Sequence, residues 1–412
     1  MTVAATACTP TGAVTGLLLA VTLIVVLVRF KVDLGLSMFA GAAVVGLFSR
    51  MGITKVLLTL GKACVARPTV ELVFVIASIM LLAELSSHFG YLETFARALQ
   101  RLVTDRRVSL SLMPAFGGLL PMPGGAMWSA PLVQSVDRES EISPEQRTFV
   151  NYWFRHLWEF VLPVYPGLVL ASAILSVPIV RLVSSQALLS AASMVAGAIV
   201  VYLTIKKGKS APVSAASRAK ALPLLLSGMW PFAFVLILVL GFKANLLAVL
   251  VTTILLILIL TRTGPRAFGR LAWQSFSPSS ISVVVGVMGF KEIMTVGGVV
   301  TVFPSILGTL HIPSVLVVFF IPMIVGLLTG ITQAFVGVAY PVVLPFINAA
   351  DSPLSAATLA FAGGFLGVLL SPVHLCLILT YQYFKARLGG VYRLMIFPAI
   401  FVAIVAFAIA LR

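Results

Sequence analysis

The sequence predicts an all-α membrane protein made of two inverted repeats, with about ten transmembrane helices and two re-entrant helical hairpins. Three observations carry this. First, 60 % of the 412 residues are hydrophobic and only 10 % are charged, against about 25 % charged in soluble domains. Second, residues 113–131 gather Pro114, Pro121 and Pro123 with Gly117, Gly118, Gly124 and Gly125 between two short apolar arms. Third, residues 322–345 repeat that outline half a chain later.

Neither arm of the first stretch has the roughly 20 apolar residues that a helix needs to cross about 30 Å of hydrocarbon. The chain is therefore expected to turn back inside the membrane. Proline removes a backbone donor and glycine relaxes φ, so the hydrogen-bond ladder should break near residues 121–125. Broken backbone at that depth is tolerated only where protein or a water-filled cavity satisfies it. Pro114 and Pro322, Gly118 and Gly326, Ala126 and Ala334, Glu84 and Glu292, and Gly90 and Gly298 recur at one offset of 208 residues. Ser143-Pro144 with Ser352-Pro353, and Pro163 with Pro372, drift from it by one. A duplicated unit explains all of these, and interrupted segments at matching positions of two halves point to a transporter's binding site.

In chain order, the first repeat covers residues 1–205. Its scaffold helices fall within 12–88, followed by an amphipathic arm at 91–104, the hairpin at 108–136, an interrupted helix at 147–183 and a closing helix at 184–205. A basic linker, 206–220, carries Lys206, Lys207, Lys209, Arg218 and Lys220. The second repeat, 221–412, has scaffold helices within 222–297, an arm at 299–310, a hairpin at 313–347, an interrupted helix at 354–384 and a closing helix at 391–411. An odd number of crossings separates the two units, which gives them opposite orientation.

The net charge of +16 does not indicate a nucleic-acid partner, because the basic residues sit in short loops where they set topology and meet anionic lipid. Most of the 28 Lys and Arg fall on one side when both termini are placed outside, so that orientation is expected. Residues 12–28 are apolar but no positive charge precedes them, and Arg29 and Lys31 follow; they read as a retained first helix. Cys8, Cys64 and Cys376 have no metal-like spacing and argue against a disulfide framework.

The chemistry is expected at the breaks. The second arm of each hairpin and the second half of each interrupted helix, starting near Gly167 and Val373, should present free N–H groups and a partial positive charge to the midplane. Pro123, Gly124, Gly125 and Gly330 form the hairpin tips, and Ser129, Thr329, Thr332 and Gln333 lie at or just beyond them. Their oxygens suit a substrate, a Na⁺ ion or a structural hydrogen bond. Asn151, Arg155 and Glu159 are spaced i, i+4, i+8 and should line one helical stripe. Either Arg155 and Glu159 neutralise each other, or Arg155 clamps a carboxylate and Glu159 carries a proton or cation. His156 with Glu159 is half of a di-metal motif whose remainder is missing, so no metal site is expected. His374, next to the second break, is either a titrating cavity residue or a packed neutral one. Glu84, Glu292 and the adjacent Lys291 read as architectural.

These features resemble the ion transporter superfamily, which includes divalent-anion/sodium symporters, gluconate and lactate permeases and arsenite transporters. Residues 120–131 (Leu-Pro-Met-Pro-Gly-Gly-Ala-Met-Trp-Ser-Ala-Pro), 151–159 (Asn-Tyr-Trp-Phe-Arg-His-Leu-Trp-Glu) and 370–376 (Leu-Ser-Pro-Val-His-Leu-Cys) look more closely like an uncharacterised prokaryotic integral-membrane family of that superfamily. The resemblance implies an elevator-type transporter in the cytoplasmic (inner) membrane, with a homodimeric scaffold and a moving transport domain. The chain lacks the Ser-Asn-Thr hairpin signature of the dicarboxylate branch. Secondary active transport of a small organic anion, a carboxylate, coupled to Na⁺ or H⁺ and using no cofactor, is the expected function. A cation/proton antiporter is the alternative within transport. An intramembrane enzyme is the alternative outside it, against which stands the lack of a paired nucleophile and base.

Overall fold

The computed structural model describes residues 9–100, 105–119, 125–137, 141–208, 215–302 and 312–412. The described chain is helical throughout, with no β-strand among those residues. Eight helices in it are long and apolar enough to cross a membrane: Pro10–Arg29, Arg67–His88, Ile179–Thr204, Ala221–Gly241, Pro278–Val296, Thr332–Ala349, Pro353–Phe384 and Leu388–Ala410. Four more apolar helices are shorter. Such a set identifies a membrane-embedded, multi-pass protein. The apolar residues that face outward agree with this: Val251, Leu255 and Ile259 on one helix, and Ile396, Ile400 and Ile404 on another, are exposed at four-residue spacing. In water such stripes would be a liability; against lipid tails they cost nothing.

One bundle of helices contains α1 (Pro10–Arg29), α2 (Leu34–Phe48), α3 (Ile53–Val65), α4 (Arg67–His88), α12 (Leu246–Leu260), α13 (Pro265–Ser275) and α14 (Pro278–Val296). In it α2 packs on α1 and α14, while α4 packs on α12, α13 and α14. Local chemistry starts these helices where they start. Thr9 caps α1, its Oγ1 accepting from Gly12 N at 3.2 Å, with Pro10 at the first helical position, where proline's missing N–H is harmless. Asp33 caps α2 through Leu36 N at 3.2 Å and also accepts from Ser279 and Ser282, both at 2.5 Å, on α14.

That cap has a consequence in pH. Partial burial pushes the Asp33 carboxyl up, but the Ser279 and Ser282 hydroxyls and the Leu36 and Gly35 amides outweigh it and hold it below the usual carboxylate range. A carboxyl depressed by folding adds stability above its unfolded value of about 3.9 and loses it as pH falls through the lower folded value. Melting curves taken from about pH 5 down to about pH 3 should therefore show less acid sensitivity in Asp33→Asn than in the native protein. Equal acid sensitivity would mean the cap contributes nothing ionic.

The second bundle contains α6 (Arg106–Gly117), α7 (Ala126–Val136), α8 (Pro144–Arg155), α9 (Pro166–Leu175), α10 (Ile179–Thr204), α15 (Ser314–Thr329), α16 (Thr332–Ala349), α17 (Pro353–Leu370), α18 (Leu375–Phe384) and α19 (Leu388–Ala410). Between the bundles, α5 (Tyr91–Gln100) packs on α11 (Ala215–Leu236) and touches both α4 and α6. It covers residues 91–100 of the first amphipathic piece, expected at 91–104, of which 101–104 lie outside the described residues. The second, 299–310, lies mostly outside the described residues, as does much of the 206–220 linker.

α6 ends at Gly117 and α7 begins at Ala126, with 120–124 outside the described residues, and the two pack against each other. At 12 and 11 residues each is far too short to span a bilayer at about 1.5 Å per residue. The second pair is longer: α15 and α16 have 16 and 18 residues, and α16 is itself one of the eight long apolar helices. Between them Gly330 takes φ +66°, a left-handed turn that glycine adopts at no steric cost.

Two boundaries depart from the sequence reading. The first interrupted helix breaks at His156, ahead of Pro163 and Pro166, through one tight 3-10 turn at Leu157–Phe160. Pro163 bars an uninterrupted helix through this segment, since its ring would strike the carbonyl of Glu159, but the break itself opens earlier, at His156. The closing helix also begins at Ile179 instead of 184, after Ser176 turns left-handed at φ +56° and Pro178 precedes the new helix. The second interrupted helix stops at Leu370, since Ser371 precedes Pro372 and is held extended at ψ 125°.

Candidate functional site

A cavity of about 660 Å³ lies between the two bundles. Its wall on one side comes from the end of α1, the start of α2, α4 at Ile76 and Met80, and α14 at Ser279–Val284. The other side is built from helix breaks: Arg155 to Gly167, Thr329 to Gln333, and Val373 to Cys376.

Three helix N-termini open onto this cavity, those of α9 at Pro166-Gly167, α16 at Thr332-Gln333 and α18 at Leu375-Cys376. Each brings unpaired N–H groups and the positive end of a helix dipole. The fourth expected N-terminus, at Ala126, is not among the cavity-lining residues. It is held instead by Asn151, whose Nδ2 donates to Ala126 O at 3.0 Å and to Thr380 Oγ1 at 3.4 Å.

The broken segment 155–165 is fastened to the first hairpin by three donors. Trp158 Nε1 donates to Ala115 O at 2.6 Å, Tyr165 Oη to Gly118 O at 2.5 Å, and Arg155 Nη1 to Gly117 O. These carbonyls lie at the end of α6, where the last four of a helix lack i+4 partners; Ala115 O also accepts from Gly118 N at 3.1 Å. Arg155 thus caps a helix while lining the cavity. Glu159 lies across from it and accepts from Thr332 Oγ1 at 3.0 Å, which ties the first broken helix to the second hairpin. Gly167 makes this possible, since a Cβ there would fall 2.4 Å from the Thr332 methyl carbon.

The predicted site residues divide as follows. Arg155, His156, Glu159, Thr329, Gly330, Thr332, Gln333 and His374 all line the cavity. Ser129 and Asn151 do not: Ser129 Oγ donates to Ala126 O at 3.3 Å within its own helix, and Asn151 is fully buried between α7 and α18. Gly125 caps α7, while Pro123 and Gly124 lie outside the described residues. The stripe predicted for Asn151, Arg155 and Glu159 is cut, because the helix ends at Arg155 and Glu159 sits in the 3-10 turn. Thr329 spends its hydroxyl hydrogen on Val325 O at 2.8 Å, and its oxygen still points toward Ile331 N at 3.4 Å.

Sequence reasoning missed Tyr165, Ser279 and Cys376. Cys376 had the clearest signal, lying two residues after His374, but its partner His156 is 218 residues from that histidine. The three ligand atoms of His156, His374 and Cys376 come within 4.8 Å of one another, all buried. Lys291, read as architectural, donates from Nζ to Ala173 O at 3.3 Å and so links α14 to the last turn of α9.

No curated protein matches the chain. A family described as "Protein of unknown function (DUF401)" matches residues 13–412, nearly the whole of the molecule, and the chain belongs to that family.

Proposed function

We propose that the protein is a secondary active transporter of a small organic anion, a carboxylate, driven by Na⁺ or H⁺. The observation that carries this reading is the convergence of three positive helix ends and the Arg155 guanidinium on one cavity of about 660 Å³. Small-molecule sites commonly have about 300–1,000 Å³ and few, convergent polar groups. Bare amides at helix starts stabilise a carboxylate without the desolvation cost of several charged side chains.

The cavity also lies at the seam between two bundles, which supports an elevator-type mechanism. On this reading the two halves are inverted repeats with two re-entrant hairpins, α1–α4 and α12–α14 are the scaffold and its dimer-forming surface, and the second bundle moves. The stacked breaks at 156–165, 330 and 371–374 are what such a moving unit needs at mid-depth.

A second reading, cation/proton antiport, rests on Glu159, a buried carboxylate on the cavity wall. One experiment separates them. Purified protein in proteoliposomes is given a panel of labelled monocarboxylates and dicarboxylates under imposed Na⁺ or H⁺ gradients. Gradient-dependent uptake that falls roughly tenfold or more in Arg155→Gln, a loss of about 1.4 kcal/mol, is the expected result. No carboxylate flux, together with cation-driven proton movement that vanishes in Glu159→Gln, would replace symport by antiport.

A further inference from the structure

Two imidazoles and a thiol meet on the inner wall of the cavity. His156 is the residue on which α8 ends, His374 is the cap of α18, and Cys376 lies in the first turn of α18. His156 Nδ1 is 2.6 Å from Tyr152 O and His374 Nδ1 is 2.7 Å from Gly330 O. A carbonyl oxygen only accepts, so in each ring Nδ1 carries the proton and Nε2 presents a bare lone pair. The two Nε2 atoms face each other at 3.3 Å. Lone pairs that close repel unless a positive centre lies between or beside them.

The spacing of the two nitrogens fits a tetrahedral metal, and the sulfur, within 4.8 Å of them, would close to about 3.6 Å as the metal binds. Bonds of about 2.0–2.1 Å from Zn²⁺ to imidazole nitrogen put two such nitrogens about 3.3–3.4 Å apart. Backbone carbonyls on both Nδ1–H groups are the outer partners that fix a ligating histidine's tautomer and aim. Cys376 completes a set of two borderline nitrogens and one soft sulfur, which suits Zn²⁺ and its neighbours and does not suit Na⁺ or Mg²⁺. Its Sγ lies within 4.8 Å of a ring nitrogen of each histidine.

We propose that His156 Nε2, His374 Nε2 and Cys376 Sγ bind one Zn²⁺-class divalent cation, with its fourth position open to the cavity. As the metal binds, the Cys376 S–H bond breaks, the thiolate takes up the cation and the proton leaves to solvent. Three protein ligands and one open position are the pattern of zinc sites that receive a water or an anionic oxygen. The same side chains would then give the cavity a fixed positive centre beside Arg155. Metal binding is measured without any gradient, so it stands or falls separately from transport.

The test uses full-length protein with any affinity tag removed, stripped with chelator in detergent and dialysed against Zn²⁺. About one zinc per chain is expected in the native protein. His374→Gln and Cys376→Ser should weaken binding by about 100-fold or more, beyond the 10–100-fold lost with an outer-shell partner alone. Co²⁺ in place of Zn²⁺ should give a thiolate-to-cobalt charge-transfer band that Cys376→Ser removes. Zn²⁺ should also protect Cys376 of the native protein from alkylation, read by peptide mass spectrometry, a measurement that needs no variant to fold. No retained zinc, retention unchanged in folded variants, a cobalt spectrum without the thiolate band, or alkylation unaffected by Zn²⁺ would each overturn the assignment.

Discussion

Asp137→Ala lowers the unfolding free energy by about 3–5 kcal/mol, the cost of removing one partner from a buried ion pair. Asp137 has no solvent exposure and sits between two guanidiniums, bonded to Arg106 on Oδ1 and to Arg147 Nε at 2.7 Å on Oδ2. Glu141 N adds a bond at 3.2 Å to Oδ1, and Arg106 reaches on to the Glu141 carboxylate. The network joins the start of α6, the end of α7 and the first turns of α8, and so holds both ends of the first helix pair together. Without Asp137, two largely buried positive groups face each other. Thermal unfolding in micelles reads the loss as a lower midpoint. The exposed Arg67–Glu71 pair at 2.7 Å is the control, since Glu71→Ala should change stability by no more than about 0.5 kcal/mol. Equal effects of the two substitutions would remove the network from the stability argument.

Gly363→Val should cost about 3 kcal/mol, the upper end of the overpacking range, or prevent assembly of the second bundle. A Cβ at Gly363 would fall 2.2 Å from Phe319 O, and one at Gly367 would fall 2.1 Å from Met323 O. From the other helix, a Cβ at Gly326 would meet Gly364 O at 2.2 Å. These neighbours are backbone atoms, so no rotamer change relieves the clash. α15 and α17 therefore approach as closely as small residues permit, the usual means of helix association in lipid, where burial of apolar surface supplies little drive. Gly389→Ala, with nothing within 4 Å of its Cβ position, is the matching control. It should be neutral or stabilise by about 0.4–1 kcal/mol. A folded Gly363→Val protein with a native midpoint would contradict the close approach.

What was readable in the sequence was local. Pro166, Pro353 and Pro372 with Gly330 mark real starts and stops, because proline geometry and a left-handed turn act within a few residues. Eight of the proposed site residues share a cavity for the same reason: each lies within a few residues of a break. What was not readable depends on distant pairing. Glu159 left its expected helical stripe because the helix ends at Arg155, four residues before it. Cys376 looked isolated until folding brought His156 beside it. Arg106 is among the basic residues read as setting topology, while its burial with Asp137 depends on how α6, α7 and α8 close on one another.

The hydrogen bond from Lys291 to Ala173 O at 3.3 Å acts as a latch on the seam. The ammonium rests on the negative end of α9, in a partly buried position, with the Glu292 carboxylate next to it in the chain. Any sliding of α9 past α14 takes that carbonyl from the ammonium until another oxygen comes within reach. On the proposed elevator reading, the travel of one bundle along the other would be divided into discrete stops, each defined by where an oxygen waits for the lysine.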